Sequence, residues 1–375
     1  MSFSKRSPKQ LGRHTPNLWP VWLVAPLALL LTGALAYGLY QGADALLTAE
    51  ATGRKPVDVQ DVIKTTVTVL TLAGAVLAGL YAYRKQLLDE GASHRADATQ
   101  LAERYTTAAE QLGHDQPAVR LAGVYAMARL AEDWPEQRQV CIDVLCAYLR
   151  MPYEPDTTAA GFRTGEREVR LTIIRTIRDH LEDPTTPTTW CGYDLDFTGA
   201  TFDGGAFNGA DFTGGIVRFD GARFSGGIVI FEATEFSGGT VTFDMAKFSG
   251  GIVAFQSTEF SGGTVTFKQA RFSDGTVTFY EARFSGSTVH FDGARFSDGT
   301  VTFYGAGFSG GTVTFYEARF SGSTVHFDGA RFSDGTVTFH EAGFSDGTVH
   351  FRDVIVSVGA DIDWGPFPAI PVNDP

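Results

Sequence analysis

Apolar residues follow three successive patterns along the chain: unbroken runs, a helical rhythm, and an alternation of fives and sevens. The unbroken runs come first. Leu18–Tyr40 is 23 residues without a charge and Thr65–Tyr83 is another 19. At about 1.5 Å per residue these reach roughly 35 and 28 Å, enough to cross about 30 Å of hydrocarbon. Trp19, Trp22, Tyr37 and Tyr40 stand near the ends of the first run, and Tyr81 and Tyr83 close the second, as interfacial aromatics do. Ala34-Leu35-Ala36 resembles a signal-peptide cleavage site, but the run is longer than a signal core and a second run follows. The pattern therefore predicts a two-helix transmembrane hairpin within an N-terminal region of residues 1–85. Lys5, Arg6, Lys9 and Arg13 before the first run, with Arg84 and Lys85 after the second, outnumber Arg54, Lys55 and Lys64 in the intervening loop and favour both termini in the cytoplasm.

The helical rhythm fills residues 86–184. Thr99–Leu112 reads as one helix, closed by Gly113. Asp115 is placed to cap the next, about Pro117–Asp133, with Leu121, Val124, Tyr125 and Ala128 on its buried face. A third covers about Pro135–Arg150 with Cys141, Val144, Leu145 and Tyr148 inward. A fourth covers Glu166–Glu182 with Val169, Ile173, Ile174, Ile177 and Leu181 at helical spacing. Arg163, Arg167, Arg170, Arg175 and Arg178 gather on this last helix. They suit lipid headgroups, but interspersed Glu166, Glu168 and Asp179 favour a solvated face.

From Asp196 the pattern changes again. Phe197, Phe202, Phe207 and Phe212 stand five apart, with Ala200, Gly205 and Ala210 two residues before the last three. From Phe212 to Phe351 the steps alternate between seven and five, and every seven-residue step ends in Val-x-Phe. Positions i and i−2 share one side of an extended segment. Val and Phe, or a small residue and Phe, therefore point inward together. The two added residues fall in Ser-Gly-Gly, Ser-Asp-Gly or Ser-Gly-Ser, which makes the longer step a widened corner. Ala222, Thr234, Ala246, Thr258 and Ala270 alternate before the short-step Phe, as do Arg223, Glu235, Lys247, Glu259 and Arg271. That alternation predicts a coil of 24 residues built from two 12-residue units. A 24-residue coil stacks Arg223, Lys247 and Arg271, a repulsion that solvent screens.

Composition adds little to this. Of 30 Phe, 27 lie between Phe197 and Phe351, so the Phe excess belongs to the repeat. Net charge is −13, and no region is basic enough to suggest nucleic-acid binding. Cys141, Cys146 and Cys191 are too few and wrongly spaced for a disulfide framework or zinc site and fit a reducing compartment. Candidate chemistry is sparse. His290, His326 and His350 take the outward position of Val-x-Phe, where His326 and His350 stack, but two imidazoles are too few for a closed metal site. Thr-Val-Thr motifs such as Thr240/Thr242, Thr264/Thr266 and Thr276/Thr278 form partial ladders, interrupted by Ile228, Ile230, Ile252 and Ala254. Flat threonine arrays of this kind resemble ice-binding solenoids, yet solvated strand positions explain them as well. There is no nucleophile elbow, phosphate loop, dinucleotide fingerprint or zinc spacing. We therefore assign no catalytic, cofactor or metal residues and expect no enzyme.

The stretch DFTGATFDGGAFNGADF at Asp196–Phe212 resembles the pentapeptide-repeat family, whose unit is A-(D/N)-(L/F)-x-x. RYTTAAEQLG, AVRLAGVYAMARLAEDW and VLCAYLR, within 104–150, resemble the helical segment of bacterial membrane proteins carrying such repeats. The family resemblance implies a right-handed quadrilateral β-helix for residues 195–356, with 357–375 as cap or tail. The whole reads as an α + β multi-domain protein of the inner or plasma membrane. The function expected is that of a non-enzymatic, membrane-anchored scaffold presenting its solenoid to a cytoplasmic protein partner, with the bilayer as a second partner and homo-oligomers compatible. No cofactor and no nucleic-acid partner is expected. The alternative is a DNA-mimic regulator of a topoisomerase or another nucleic-acid-binding protein. Net charge −8 over residues 195–351 permits it, but interspersed arginines break up the acidic face that mimicry needs.

Overall fold

The computed structural model describes residues 59–373, together with 30, 33, 34, 37, 38, 41 and 42. Leu18–Tyr40, read above as the first span, otherwise lies outside the described residues. The chain divides into two compact units, Met1–Ala98 and Thr99–Pro375. Helix α1, Val59–Leu112, includes all of Thr65–Tyr83. It has no break before Thr99, where a separate helix was expected: no Pro intervenes between the apolar run and Leu112, and the single Gly91 is carried within the helix. Among the described residues no helix is long and apolar enough to cross a membrane.

In the second unit three further helices pack together: α2 (Pro117–Asp133), α3 (Arg138–Arg150, entered through the 3-10 turn Pro135–Gln137) and α4 (Glu166–Asp179). Two sequence expectations fail here for one reason. Gln116, not Asp115, is the N-cap of α2, with no side-chain capping bond. The Asp115 carbonyl instead accepts from Nη1 of Arg120, a fully buried side chain that also donates to the His114 and Thr164 carbonyls. Turning Arg120 inward rotates the helix, so Tyr125 is exposed and Met127, Leu130 and Ala131 join Val124 and Ala128 in the core. Burying a guanidinium is costly unless its donors are matched; loop carbonyls serve Nη1 and Nη2, and Glu166, 3.5 Å away, offsets the charge, while Nε is left without a partner. On α3 and α4 the expected inward residues are buried or nearly so.

Residues 195–356 form a β-solenoid of about seven turns with about 24 residues per coil. The strand ladders are parallel, with one isolated antiparallel bridge between Ser297 and Gly322. Through the middle coils partners lie 24 apart, as in Val217↔Val241↔Val265↔Val289 and Phe224↔Phe248↔Phe272↔Phe296, and at the far end Gly335 pairs with Ala360, 25 away. Leu195 pairs with Val217, only 22 away, because the first turn lacks one widened corner. The Phe side chains fill the tube in stacked columns. Phe243 stacks on Phe219 and Phe267 at 4.6 and 4.7 Å and meets Phe231 and Phe255 edge-on across the core. Both are favourable ring geometries. Thr234 and Thr258, standing where other coils have Ala, satisfy their buried hydroxyls on the carbonyls of Phe207 and Phe231.

The corners explain the five-and-seven rhythm. In Ser-Gly-Gly corners the second glycine takes positive φ, +72° at Gly239 and +70° at Gly263. Built side chains there would meet carbonyl oxygens of the preceding coil at 2.5 Å, so only glycine fits. In Ser-Asp-Gly corners the aspartate takes that conformation instead, at Asp274, Asp298 and Asp346. The corners preceding Thr312 and Thr336 are drawn out into eight-residue strands, Gly307–Thr314 and Arg331–Thr338, which join two sides into one sheet.

Both ends of the tube are covered. At the far end strand Ala360–Asp363 pairs with the last long strand, and Trp364 and Phe367 close over Phe339 and Phe351. Asn373 bonds both the Val354 carbonyl and the Val356 amide. At the near end α3 and α4 pack on the first turn. The α4 arginines make that joint. Arg170 is buried, donates to the Tyr148, Leu149 and Thr201 carbonyls and lies over the Tyr153 ring. Arg167 pairs with Asp203. Arg170 is thus no part of a solvated face.

Candidate interaction faces

A coil presents four sides, two long ones carrying Val-x-Phe and two short ones. Because residues 24 apart stack, each outward position becomes a column running along the rod. The long sides carry the threonines and histidines. Thr240 and Thr264 stack, as do Thr242, Thr266 and His290. Thr266 points out of the tube yet is buried, and the hydroxyls of Thr242 and Thr266 find no partner. The array is therefore less hydrated than strand alternation alone predicts.

His326 and His350 stack as the 24-residue coil requires, ring centroids 4.9 Å apart, while His290 sits on the other long side. Each of His290 and His326 faces the carboxylate two residues on, Asp292 at 3.2 Å and Asp328 at 3.3 Å. Among the described residues no group of three His, Cys, Asp or Glu is placed to hold a metal ion. Burial pushes the Cys141 thiol up to about 11 and the Cys146 thiol up to about 12, so both stay protonated and pack as small apolar groups.

The two short sides differ in charge. One outward column reads Arg223, Lys247, Arg271, Arg295, Arg319, all exposed. The opposite column reads Glu235, Glu259, Arg283, Gly307, Arg331. The sequence contained this signal, since reading every twenty-fourth residue shows it, but its significance depended on the coil size. A second feature was not legible: a depression of about 510 Å³ between α4 and the first long side, with Ile228 and Ile230 on its floor and Arg167, Arg175 and Arg178 at its rim. It exists only because the helical unit docks there.

With this geometry in view, residues 192–235 match the family described as pentapeptide repeats (9 copies). The C-terminal region carries pentapeptide repeats. The matched segment spans the five-residue steps and the first coil of mixed steps. No curated protein and no solved structure matches the chain.

Proposed function

We propose that this protein is a membrane-anchored, non-enzymatic scaffold whose pentapeptide-repeat solenoid binds a protein partner on the cytoplasmic side. The observation that carries the binding role is the solenoid itself: a tube packed solid with phenylalanine, offering long flat columns and shallow grooves. Repeat rods of this kind bind along their surfaces. The anchoring role rests on α1, where Ile63, Val67, Leu70, Leu77, Leu80 and Tyr81 are exposed, and on the uncharged run before it. Exposed apolar side chains on successive helical turns are costly in water and stable in lipid. The topoisomerase-directed DNA-mimic alternative is weaker, because an all-cationic column runs down one side of the rod.

Carbonate extraction of native membranes tests the anchor, with the chain expected in the pellet and a truncation lacking residues 1–85 expected in the supernatant. A reporter joined after Pro375 should be active only on the cytoplasmic side. Release of the full chain by carbonate, or reporter activity on the outer side, sinks the reading.

A further inference from the structure

We propose that the cationic column Arg223–Lys247–Arg271–Arg295–Arg319 is a docking line for an extended, carboxylate-rich segment of the partner protein. Direct pairing places successive members one coil apart. At about 4.8 Å per coil, five positive charges are strung over roughly 19 Å. All five side chains are exposed, and among the described residues none has an ion pair or side-chain hydrogen bond.

Folding does not require this column. Like charges directly opposite on neighbouring strands destabilise a sheet. The opposite short side, built from the same strands and corners, accepts Glu, Arg and Gly at the equivalent position. Nor does copying of sequence explain it, because Arg223, Lys247 and Arg271 lie outside the duplicated block at 279–302 and 315–338. Five unpaired cations on one line are thus set against the interest of the fold, which points to a ligand.

The surroundings select the ligand. A groove of about 380 Å³ runs beside the column, with Gly221, Met245, Gln269 and Gly293 along it. Met245 is 57% exposed and offers an apolar contact, and Gln269 offers amide bonding to a peptide backbone. No aromatic ring lines the groove, so stacked bases would find no platform. Carboxylates bracket the column. Asp220 and Asp244 sit at one corner, their oxygens bonded to the Asp244 and Lys268 amides of the next coil, and exposed Asp274 and Asp298 sit at the other. A planar anionic membrane or a duplex would press against these acids, whereas a single extended strand lies between them. Arginine's planar fork takes carboxylates in pairs.

The test uses the full chain in non-ionic detergent and a fluorescein-labelled Asp/Glu peptide of about eight residues, long enough for the column at ~3.4 Å per residue. Binding is read by anisotropy. We expect binding that weakens as salt rises and that falls about tenfold or more in Arg271→Glu/Arg295→Glu. Arg283→Glu/Arg331→Glu makes the same charge change on the opposite side and should cost less than about twofold. Arg271→Gln/Arg295→Gln, checked by circular dichroism, guards against a misfolded reversal variant and should give an intermediate loss. The proposal is overturned by equal losses in the two reversal pairs or by absence of binding at low salt. It is equally overturned if polyphosphate, single-stranded DNA or anionic vesicles bind the column more tightly than the peptide. Column-dependent self-association without peptide binding would assign the line to a second copy and also overturn it. The proposal rests on the scaffold reading, and the two fail separately: membrane retention without peptide binding sinks the docking line alone, and peptide binding without membrane retention sinks the anchor alone.

Discussion

Glu281 holds φ at +52° and Met245 at +57°, a conformation that costs a residue with a Cβ about 1–2 kcal/mol. Both stand second after a phenylalanine at a short corner. The same corner position is Gly221, Gly293, Gly305 or Gly329 in other coils, at nearly the same angle. The corner therefore sets the conformation, and the sequence only sometimes relieves it. Glu281→Gly should stabilise the rod by about 0.5–1 kcal/mol, since the relieved strain exceeds the entropy glycine loses on folding. Gly293→Val should cost more than about 1 kcal/mol, because a β-branched residue is the poorest occupant of that region. Thermal melts of the two variants should move in opposite directions; a shared direction would show that the corners adapt. Inward positions are stricter still. Val265 is 1% exposed, and Val265→Asp should cost several kcal/mol by burying an unpaired charge. Thr264→Asp, one residue earlier and half-buried, should be mild. Thr266 was readable only as an outward residue, yet it is buried and its hydroxyl lacks a partner. Strand alternation gives direction and does not give depth, so Thr266→Asp should fall between the other two. If resistance to proteolysis drops equally in Val265→Asp and Thr264→Asp, the division into inward and outward positions is wrong.

At the scale of elements, the joint between helices and solenoid is where sequence reading reached least far. The spacing of Val169, Ile173, Ile174 and Ile177 gave α4 its buried face, and Val-x-Phe gave each long side its strand. What the face packs on could not be read, because the joint is made by arginines and a glycine. Ile174 occupies the space a side chain at Gly205 would take, with its Cδ1 2.9 Å from a built Cβ. Gly205 stands where the five-residue pattern calls for a small inward residue, and periodicity alone could not distinguish that role from close approach of a helix. The same blindness hid Arg120, a charged residue that helical spacing does not mark as inward and whose burial turns α2. Gly205→Val should push Ile174 out of its seat and expose the loop at residues 182–194 to protease, leaving the distal coils intact. Gly209→Ala is the control, since a side chain there meets nothing within 4 Å, although its φ of +70° carries some strain of its own. Protection of the loop equal in both variants would show that the helical unit holds without this contact.

Over the whole molecule, two periods do different work. Twelve residues are the unit of construction: one widened corner, one Val-x-Phe strand, one short corner, one short strand. Twenty-four residues are the unit of surface, because only residues a full coil apart share a column. The block FYEARFSGSTVHFDGARFSDGTVT at 279–302 recurs at 315–338, displaced by 36 residues, or one and a half coils. The tube continues through this displacement, with Val289, Val301, Val313 and Val325 all buried. The faces, however, exchange. Arg283 and its copy Arg319 stand on opposite short sides, and so do Arg295 and its copy Arg331. The acidic run Glu235–Glu259 gives way to arginine on its own column at this point. Deletions can separate the two periods. Removing residues 285–308, a full coil, should leave a folded rod with the cationic column shortened to Arg223, Lys247, Arg271 and Arg319. Removing residues 285–296, half a coil, should also fold, because Phe, Val and Ala fall in inward positions either way. It should put Gly307 beside Arg271 and carry Arg319 to the far side, cutting the column at its third member. Both variants should show the circular dichroism of a β-solenoid and cooperative melting, while the acidic peptide should bind the full-coil deletion more tightly than the half-coil deletion. Failure of the half-coil variant to fold would mean that the two short sides are not interchangeable and that the core, as well as the surface, has a period of 24.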